Sequence, residues 1–433
     1  MEAGIRASDV PRAHAAAWIR TAYLGYFTIG MLSTVFGPLL VGVRDQLGLT
    51  HAQAGLLITA QFLASIVGLL VGGPAADRAG KRRVLAWAAL LLLAGAAGVG
   101  AAARFGLLLA AFAVLGAGFG AMDGTGNALV SDLAPSGRAA ALNRLNVIFS
   151  TGALAAPFLV ARLFSAGLAG PAARASAYGV TALLSLLFLA RSLVHGPLPG
   201  EPSLRHGPGG RRTPPSPGRG PAGSDPAAGH PGWAGVAELL SDRALWLMGT
   251  ILLAYVALEA SVGNWWAAYL HEAVGADAAT AGDVLTGFFV GVALGRLATS
   301  LVVERLGYVR TLLLEAAGAA ALLPAALLAR TPAGAASVAL AGFFAAGLWG
   351  TTLALAAERH PGRSGTISGL LMAMAALGSS LFPLWIGFLG DRVGLRAGFL
   401  TLEGVLLLMV ALVGLLAREL HGRPVGGRHR ERA

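Results

Sequence analysis

The chain has 433 residues, 56% of them hydrophobic and only 12% charged, with a formal net charge of +11 and no cysteine. Soluble domains carry about 25% charged residues, so this composition excludes a soluble globular fold, and the missing thiols exclude disulfides and thiol chemistry. The excess is not one terminal anchor: apolar runs of about 20 residues, each long enough to cross a hydrocarbon core of about 30 Å, recur along the whole chain.

Twelve spans are predicted, in chain order at 19–43, 53–76, 84–103, 106–132, 140–166, 175–194, 244–270, 280–302, 311–329, 333–357, 364–390 and 395–417. In lipid the backbone must satisfy its own hydrogen bonds, so they are expected to be helices. The alternating pattern of a membrane barrel is absent. No cleavage pattern follows span 1, which is expected to stay in place as a signal anchor. Between spans 6 and 7 the pattern breaks. Of the 40 residues at 196–235, 21 are Gly or Pro, too few apolar groups to order the segment. The expected division is 1–195 as a six-helix bundle, 196–243 as a flexible cytoplasmic linker, and 244–433 as a second six-helix bundle with a basic tail. A short surface helix is expected at Val236–Arg243. Basic residues set the orientation. Of the 32, only Arg44, Arg104, Arg162, Arg174, Arg330, Arg392 and Arg396 fall in outer segments, and Arg296 falls within a span. Both termini are therefore expected in the cytoplasm, and the basic charge marks topology and anionic lipid rather than nucleic acid.

Two turns repeat. Between spans 2 and 3 the chain reads GPAADRAGKRR (Gly73–Arg83), and between spans 8 and 9 it reads VERLGYVR (Val303–Arg310). A repeated charged turn suggests two similar halves that rock against one another. The first string resembles the signature loop of the major facilitator superfamily, G-x-x-x-D-R-x-G-R-R. The second is a degenerate copy with Glu304 in place of Asp. The resemblance implies a conformational latch made of Gly73, Asp77, Arg78, Gly80 and Arg82, with Glu304 and Arg305 in the second copy. Asp77 would hold the cytoplasmic start of span 11, and Glu304 that of span 5.

Ionisable groups inside spans are costly and usually functional. Asp123 lies in span 4 about ten residues from its cytoplasmic end, hence about 15 Å deep, with Asn127 one turn on. Asn143, Arg144 and Asn146 open span 5. Span 7 carries Glu259, Asn264, Trp265 and Trp266; Gln61 lies in span 2, and Tyr23 and Tyr26 in span 1. A carboxyl in low dielectric holds its proton to higher pH and can load and release it. Amides beside aromatic rings suit a polyhydroxylated ligand. The expected proton sites are Asp123 and Glu259. The expected substrate cavity is formed by Tyr23, Tyr26, Gln61, Asn127, Asn143, Asn146, Asn264 and Trp265. The plain alternative for Asp123 is a salt bridge to Arg144, and for Trp265 or Trp266 an anchor in the aromatic belt. Arg296 is expected to snorkel or to pair with Glu304. Glu315 and Glu403 are expected to pair or to face the cavity, and Asp283 to be hydrated.

AMDGTGNALV (Ala121–Val130), NRLNVIFSTGALAAP (Asn143–Pro157), YVALEASVGNWWAAYL (Tyr255–Leu270) and GVALGRLATS (Gly291–Ser300) resemble spans 4, 5, 7 and 8 of the fucose–galactose–gluconate proton symporter branch. That resemblance implies a role in proton coupling and sugar binding for Asp123, four residues before Asn127. The chain departs from the branch in span 1, which holds no carboxylate, and this weakens a claim for L-fucose.

The sequence thus predicts an all-α membrane protein of twelve spans in two pseudo-symmetric bundles. Its expected function is proton-coupled uptake of a sugar or similar small polar solute across a bacterial inner membrane, as a monomer, with substrate, protons and lipid as partners. Proton-driven efflux of drugs or metabolites stays open as the alternative. No metal cluster, catalytic triad or phosphate loop is visible in the sequence, so neither cofactor nor enzyme activity is expected.

Overall fold

A computed structural model describes residues 12–134, 138–195, 241–329, 331–360 and 364–422. The linker expected at 196–243 and the surface helix at Val236–Arg243 fall outside the described residues up to position 240. All regular elements among the described residues are helices. Eleven are long and apolar enough to cross a membrane, and a bent pair makes the twelfth span. Below, the inner face is the one carrying the Lys81–Arg83 turn, and the outer face is opposite.

Span 1 consists of Arg12–Thr34 and Phe36–Leu47, which meet at 46°. Pro38 explains the bend, because it offers no N–H to the Thr34 carbonyl one turn back. Beside the bend, the Thr34 hydroxyl donates to the Ala153 carbonyl of span 5 at 2.8 Å. Spans 2 to 6 are His51–Ala79, Lys81–Ala101, Phe105–Leu133, Arg138–Ser165 and Gly170–Val194. Span 7 is Arg243–Tyr269 with a π turn at Leu270–Val274. Spans 8 and 9 are Ala278–Leu306 and Tyr308–Leu328. Span 10 is broken into Pro332–Ala335, Val338–Ala345 and Leu348–Arg359. Spans 11 and 12 are Ser364–Val393 and Leu395–Gly422. The bend in span 1 and the breaks in span 10 are additions to the sequence reading.

The two halves repeat one packing scheme. Lipid tails give apolar helices no reason to associate, so contact depends on small residues that let backbones touch. In span 4, a Cβ on Gly116 or Gly120 would run into the Gln61 or Ser65 carbonyl of span 2. Gly291 and Gly295 of span 8 press in the same way on the Ala339 and Phe343 carbonyls of span 10. Gly30 and Gly152 bring spans 1 and 5 together, and Gly378 brings span 11 onto span 7 at the Leu253 carbonyl. Pairs 2·4 and 1·5 in the first half therefore correspond to 8·10 and 7·11 in the second. The repeated turns correspond too: Gly80 has φ +92° and Gly307 φ +77°, each opening the next helix.

The second half begins at Asp242, on the inner face. Its carboxylate caps span 7 through the Ala244 N–H at 3.0 Å and receives Arg359 at 3.1 Å and His360 at 2.9 Å from the end of span 10. Burial pushes the Asp242 pKa up. The Arg359 hydrogen bond, the Ala244 N–H and the neighbouring charges outweigh it and hold the group below the ordinary carboxylate value. A depressed pKa contributes stability that is present above the unfolded-state value and lost as pH falls through the folded-state value.

Gly120→Val is expected to cost about 1–3 kcal/mol by overpacking, seen as a lower unfolding temperature in detergent. Gly287→Val, which meets open space, should leave it unchanged. Asp242→Asn should unfold at lower temperature than wild type at neutral pH. That deficit should persist down to about pH 4 and close only below it.

Candidate functional site

Two polar clusters lie at mid-depth, one in each half. In the first half, Asp123 sits ten residues above the inner end of span 4, about 15 Å in. The Tyr26 hydroxyl of span 1 lies 2.9 Å from Asp123 Oδ1 and 2.7 Å from its backbone carbonyl. The Asn127 amide donates to the same Oδ1 at 3.1 Å. Tyr26 is buried, and its ring lies flush against Gly126, where a Cβ would collide with it. Both neighbours are neutral donors. Among the described residues no cation pairs with Asp123, and Arg144 is exposed without an ion pair. The alternative of an Asp123–Arg144 salt bridge is thus corrected.

In the second half, Arg296 of span 8 lies 3.3 Å from Glu259 and donates to the Tyr255 hydroxyl at 3.1 Å, both in span 7. It also reaches Ser150 of span 5, in the other half, at 2.5 Å. The Arg296 and Glu259 side chains stay 32% and 24% accessible, so this pair is not sealed away. Arg296 neither snorkels nor meets Glu304, as the sequence reading expected. Glu304 lies eight residues further along the same helix, about two turns away, whereas Glu259 of span 7 stands beside Arg296. Arg296 is the central residue that the sequence reading set aside; a lone arginine at mid-span beside G-x-x-x-G was its signal.

The other expected cavity residues are spread out. Tyr23 is half-buried. Gln61 is buried, with its amide donating to the Leu32 carbonyl at 3.4 Å. Asn264 is buried and bonds back to the Ala260 carbonyl at 2.8 Å. Asn146 is exposed, and the Asn143 side chain lies outside the described residues. Trp265 and Trp266 are fully buried, which corrects the belt reading. Trp265 donates to the Pro383 carbonyl of span 11 at 2.9 Å, and Trp266 packs on Tyr269 and Phe399. Glu315 bonds to Thr299 rather than pairing with Glu403.

The halves are joined across the outer face. The first turn of span 2 has free N–H groups that need partners. Thr50 takes the Gln53 N–H in a capping box. Asp391 of span 11, from the other half, takes those of His51 and Ala52 at 2.7 and 2.8 Å. The His51 ring bridges two carboxylates, with Nδ1 2.9 Å from Asp391 and Nε2 2.9 Å from Glu272 in the π turn of span 7. Arg44 pairs with the same Glu272. Arg162 of span 5 pairs with Asp283 of span 8, so Asp283 is not merely hydrated. Deeper, Thr59 of span 2 donates to the Ser380 carbonyl of span 11 at 2.6 Å, and Gly37 of span 1 abuts the Gly263 carbonyl of span 7.

At the inner face the signature residues bond within their own half. Arg82 donates to the Ser192 and Leu193 carbonyls at 3.0 and 2.9 Å, capping span 6. Lys81 pairs with Asp132, and Arg78 donates at 3.4 Å to the Pro74 carbonyl. Gly73 meets open space, and Gly80 forms the turn. Glu304 and Arg305 are exposed, and Glu304 makes no ion pair to span 5 among the described residues. The Asp77 side chain lies outside the described residues. Among the described residues, the polar contacts between the halves at the ends of the spans lie on the outer face.

A family model of the Major Facilitator Superfamily matches residues 22–265 and again 252–432. The chain belongs to that superfamily. Over 134 residues it is 28% identical to a D-xylose transporter of Levilactobacillus brevis, spanning 31% of this chain and 29% of that relative. Its fold is similar to a bacterial homolog of the human lysosomal transporter Spinster in an inward-facing conformation, with TM-score 0.76 and 15% identity over 95% of this chain and 99% of that one. It is also similar to a D-xylose-proton symporter, with TM-score 0.67 and 16% identity over 92% and 97%. A third likeness is to FucP in the outward conformation, with TM-score 0.59 and 18% identity over 96% and 99%.

Asp391→Asn removes the charge that caps span 2 and should open the outer face more often. With Thr59→Cys as the single thiol of a chain that has none, labelling from outside by a membrane-impermeant maleimide should be severalfold faster in the Asp391→Asn background.

Proposed function

We propose that the chain is a proton-coupled carrier that takes up a sugar or a similar small polar solute by alternating access. The observation that carries this is Asp123. It is a carboxyl at mid-depth whose side-chain partners are the neutral Tyr26 and Asn127, so a proton, rather than a fixed cation, is what can neutralise it. The names of a D-xylose transporter and a D-xylose-proton symporter among the similar proteins support the solute and the ion. In this reading Glu259, Arg296 and Tyr255 face Ser150 across the halves and supply donors and acceptors for hydroxyl groups. The carrier works as a monomer in a bacterial inner membrane, with both termini in the cytoplasm.

The rocking step uses one string twice. Asp77-Arg78-Ala79-Gly80 ends span 2 at the inner face, and Asp391-Arg392-Val393-Gly394 ends span 11 at the outer face. Gly80 and Gly394 share a positive φ, +92° and +88°. The two spans lie side by side, with His51 of span 2 against Asp391 of span 11. Where Asp391 now caps the start of span 2, Asp77 in the opposite state caps the start of span 11 near Ser364. Each acid thus closes one face in turn, and releasing one cap frees the other.

Asp123→Asn mimics the protonated group permanently. Reconstituted in liposomes, it should lose accumulation of sugar against a gradient while still exchanging labelled for unlabelled sugar at equilibrium. Accumulation at the wild-type level would remove Asp123 from the coupling role.

A further inference from the structure

Spans 8, 9 and 10 of the second half converge on a second buried carboxylate that the transport reading leaves unused. Glu315 lies seven residues into span 9 from Tyr308, about 10 Å from the inner end, and is 5% exposed. The Thr299 hydroxyl of span 8 donates to its Oε1 at 2.5 Å. Its Oε2 is buried without a hydrogen-bond partner among the described residues. Gly347 presses on both groups, since a Cβ there would collide with Glu315 Oε1 and with the Thr299 hydroxyl. Gly347 also sits in the break between Val338–Ala345 and Leu348–Arg359. A helix end leaves carbonyl oxygens without partners in the ladder. One turn on, on the same face as Gly347, Thr351 is 4% exposed, and its hydroxyl too has no hydrogen-bond partner among the described residues.

Glu315 and Thr299 therefore meet Gly347 at the break in span 10, beside the end of Val338–Ala345; the Gly347 carbonyl itself accepts the Thr351 N–H at 2.9 Å. Each unsatisfied buried polar group costs about 1–3 kcal/mol. A proton on Glu315 would cancel its charge, but its single O–H could serve only one acceptor and would not draw the remaining oxygens together. A small cation satisfies the carboxylate, the hydroxyls and the carbonyls at once, as unwound helices do for coupling ions in other carrier folds. One carboxylate balances one positive charge, and a divalent ion would leave an uncompensated charge in a dry site. Among the described residues no group of three His, Asp or Glu offers itself to a divalent metal.

We infer that Glu315, Thr299, Thr351 and the broken backbone at Gly347 form a binding site for a small monovalent cation, with Na+ as its natural probe. The site lies in the half opposite Asp123 and does not rest on the proton reading.

The test is 22Na+ binding to the purified full-length protein in detergent, paired with thermal unfolding in NaCl against choline chloride at equal ionic strength. Saturable binding and a sodium-specific rise in unfolding temperature are expected. Both should disappear in Glu315→Gln, weaken severalfold in Thr351→Val and persist in Asp123→Asn. Absence of saturable binding to the wild type would overturn the inference, as would equal stabilisation by choline chloride or binding retained in Glu315→Gln. If Glu315→Gln does not fold, wild-type binding and the Thr351→Val comparison decide.

Discussion

Lipid gives apolar helices no drive to associate, and this constraint shapes the molecule. Cohesion has to come from backbone pressed against backbone. Gly116 and Gly120 on span 4 supply it in the first half, and Gly291 and Gly295 on span 8 in the second. These crossings make each half a firm body. The seam between the halves has glycine crossings too, at Gly37 on span 7 and Gly55 on span 11, and adds to them the charged contacts of the outer face. Those charges are what distinguishes the seam from the bodies that rock about it.

The strength of the seam is consistent with that role. A helix cap contributes about 1 kcal/mol, and partly exposed ion pairs up to about 1 kcal/mol each. Asp391 on span 2, Arg44 with Glu272, and Arg162 with Asp283 therefore sum to a few kcal/mol. That is the gap at which a minor state stays populated and a bound solute can shift the balance. The Arg296–Ser150 bond at mid-depth places this balance beside the proposed binding region.

Much of this was legible in the sequence. Twelve apolar runs predicted the spans to within a few residues, because the length of an apolar helix is set by membrane thickness. The paired turns at Gly80 and Gly307 announced the internal repeat. Asp123 and Asn127, one turn apart, were found as a cluster because both lie on one helix. What was missed depends on partners from distant parts of the chain. Arg296 looked like a snorkelling residue until span 7 placed Glu259 beside it. Trp265 looked like a cavity or belt residue, yet it is covered by span 11. The second D-R-x-G, at Asp391, was in plain view. It went unread because its meaning comes from the antiparallel neighbour whose first turn it caps, and spacing along one strand of sequence does not reveal that neighbour. The bend at Val35 follows from Pro38 once the unpaired Thr34 carbonyl is considered.

The central claim is that movement of solute and movement of protons are one event. The direct measurement is external pH in a weakly buffered suspension of proteoliposomes while D-xylose, D-glucose or gluconate is added outside. The account predicts a solute-dependent alkalinisation of the medium, saturating with the solute that is carried. Uptake of a labelled solute with no accompanying proton movement would contradict it, as would proton release triggered instead by a lipophilic cation.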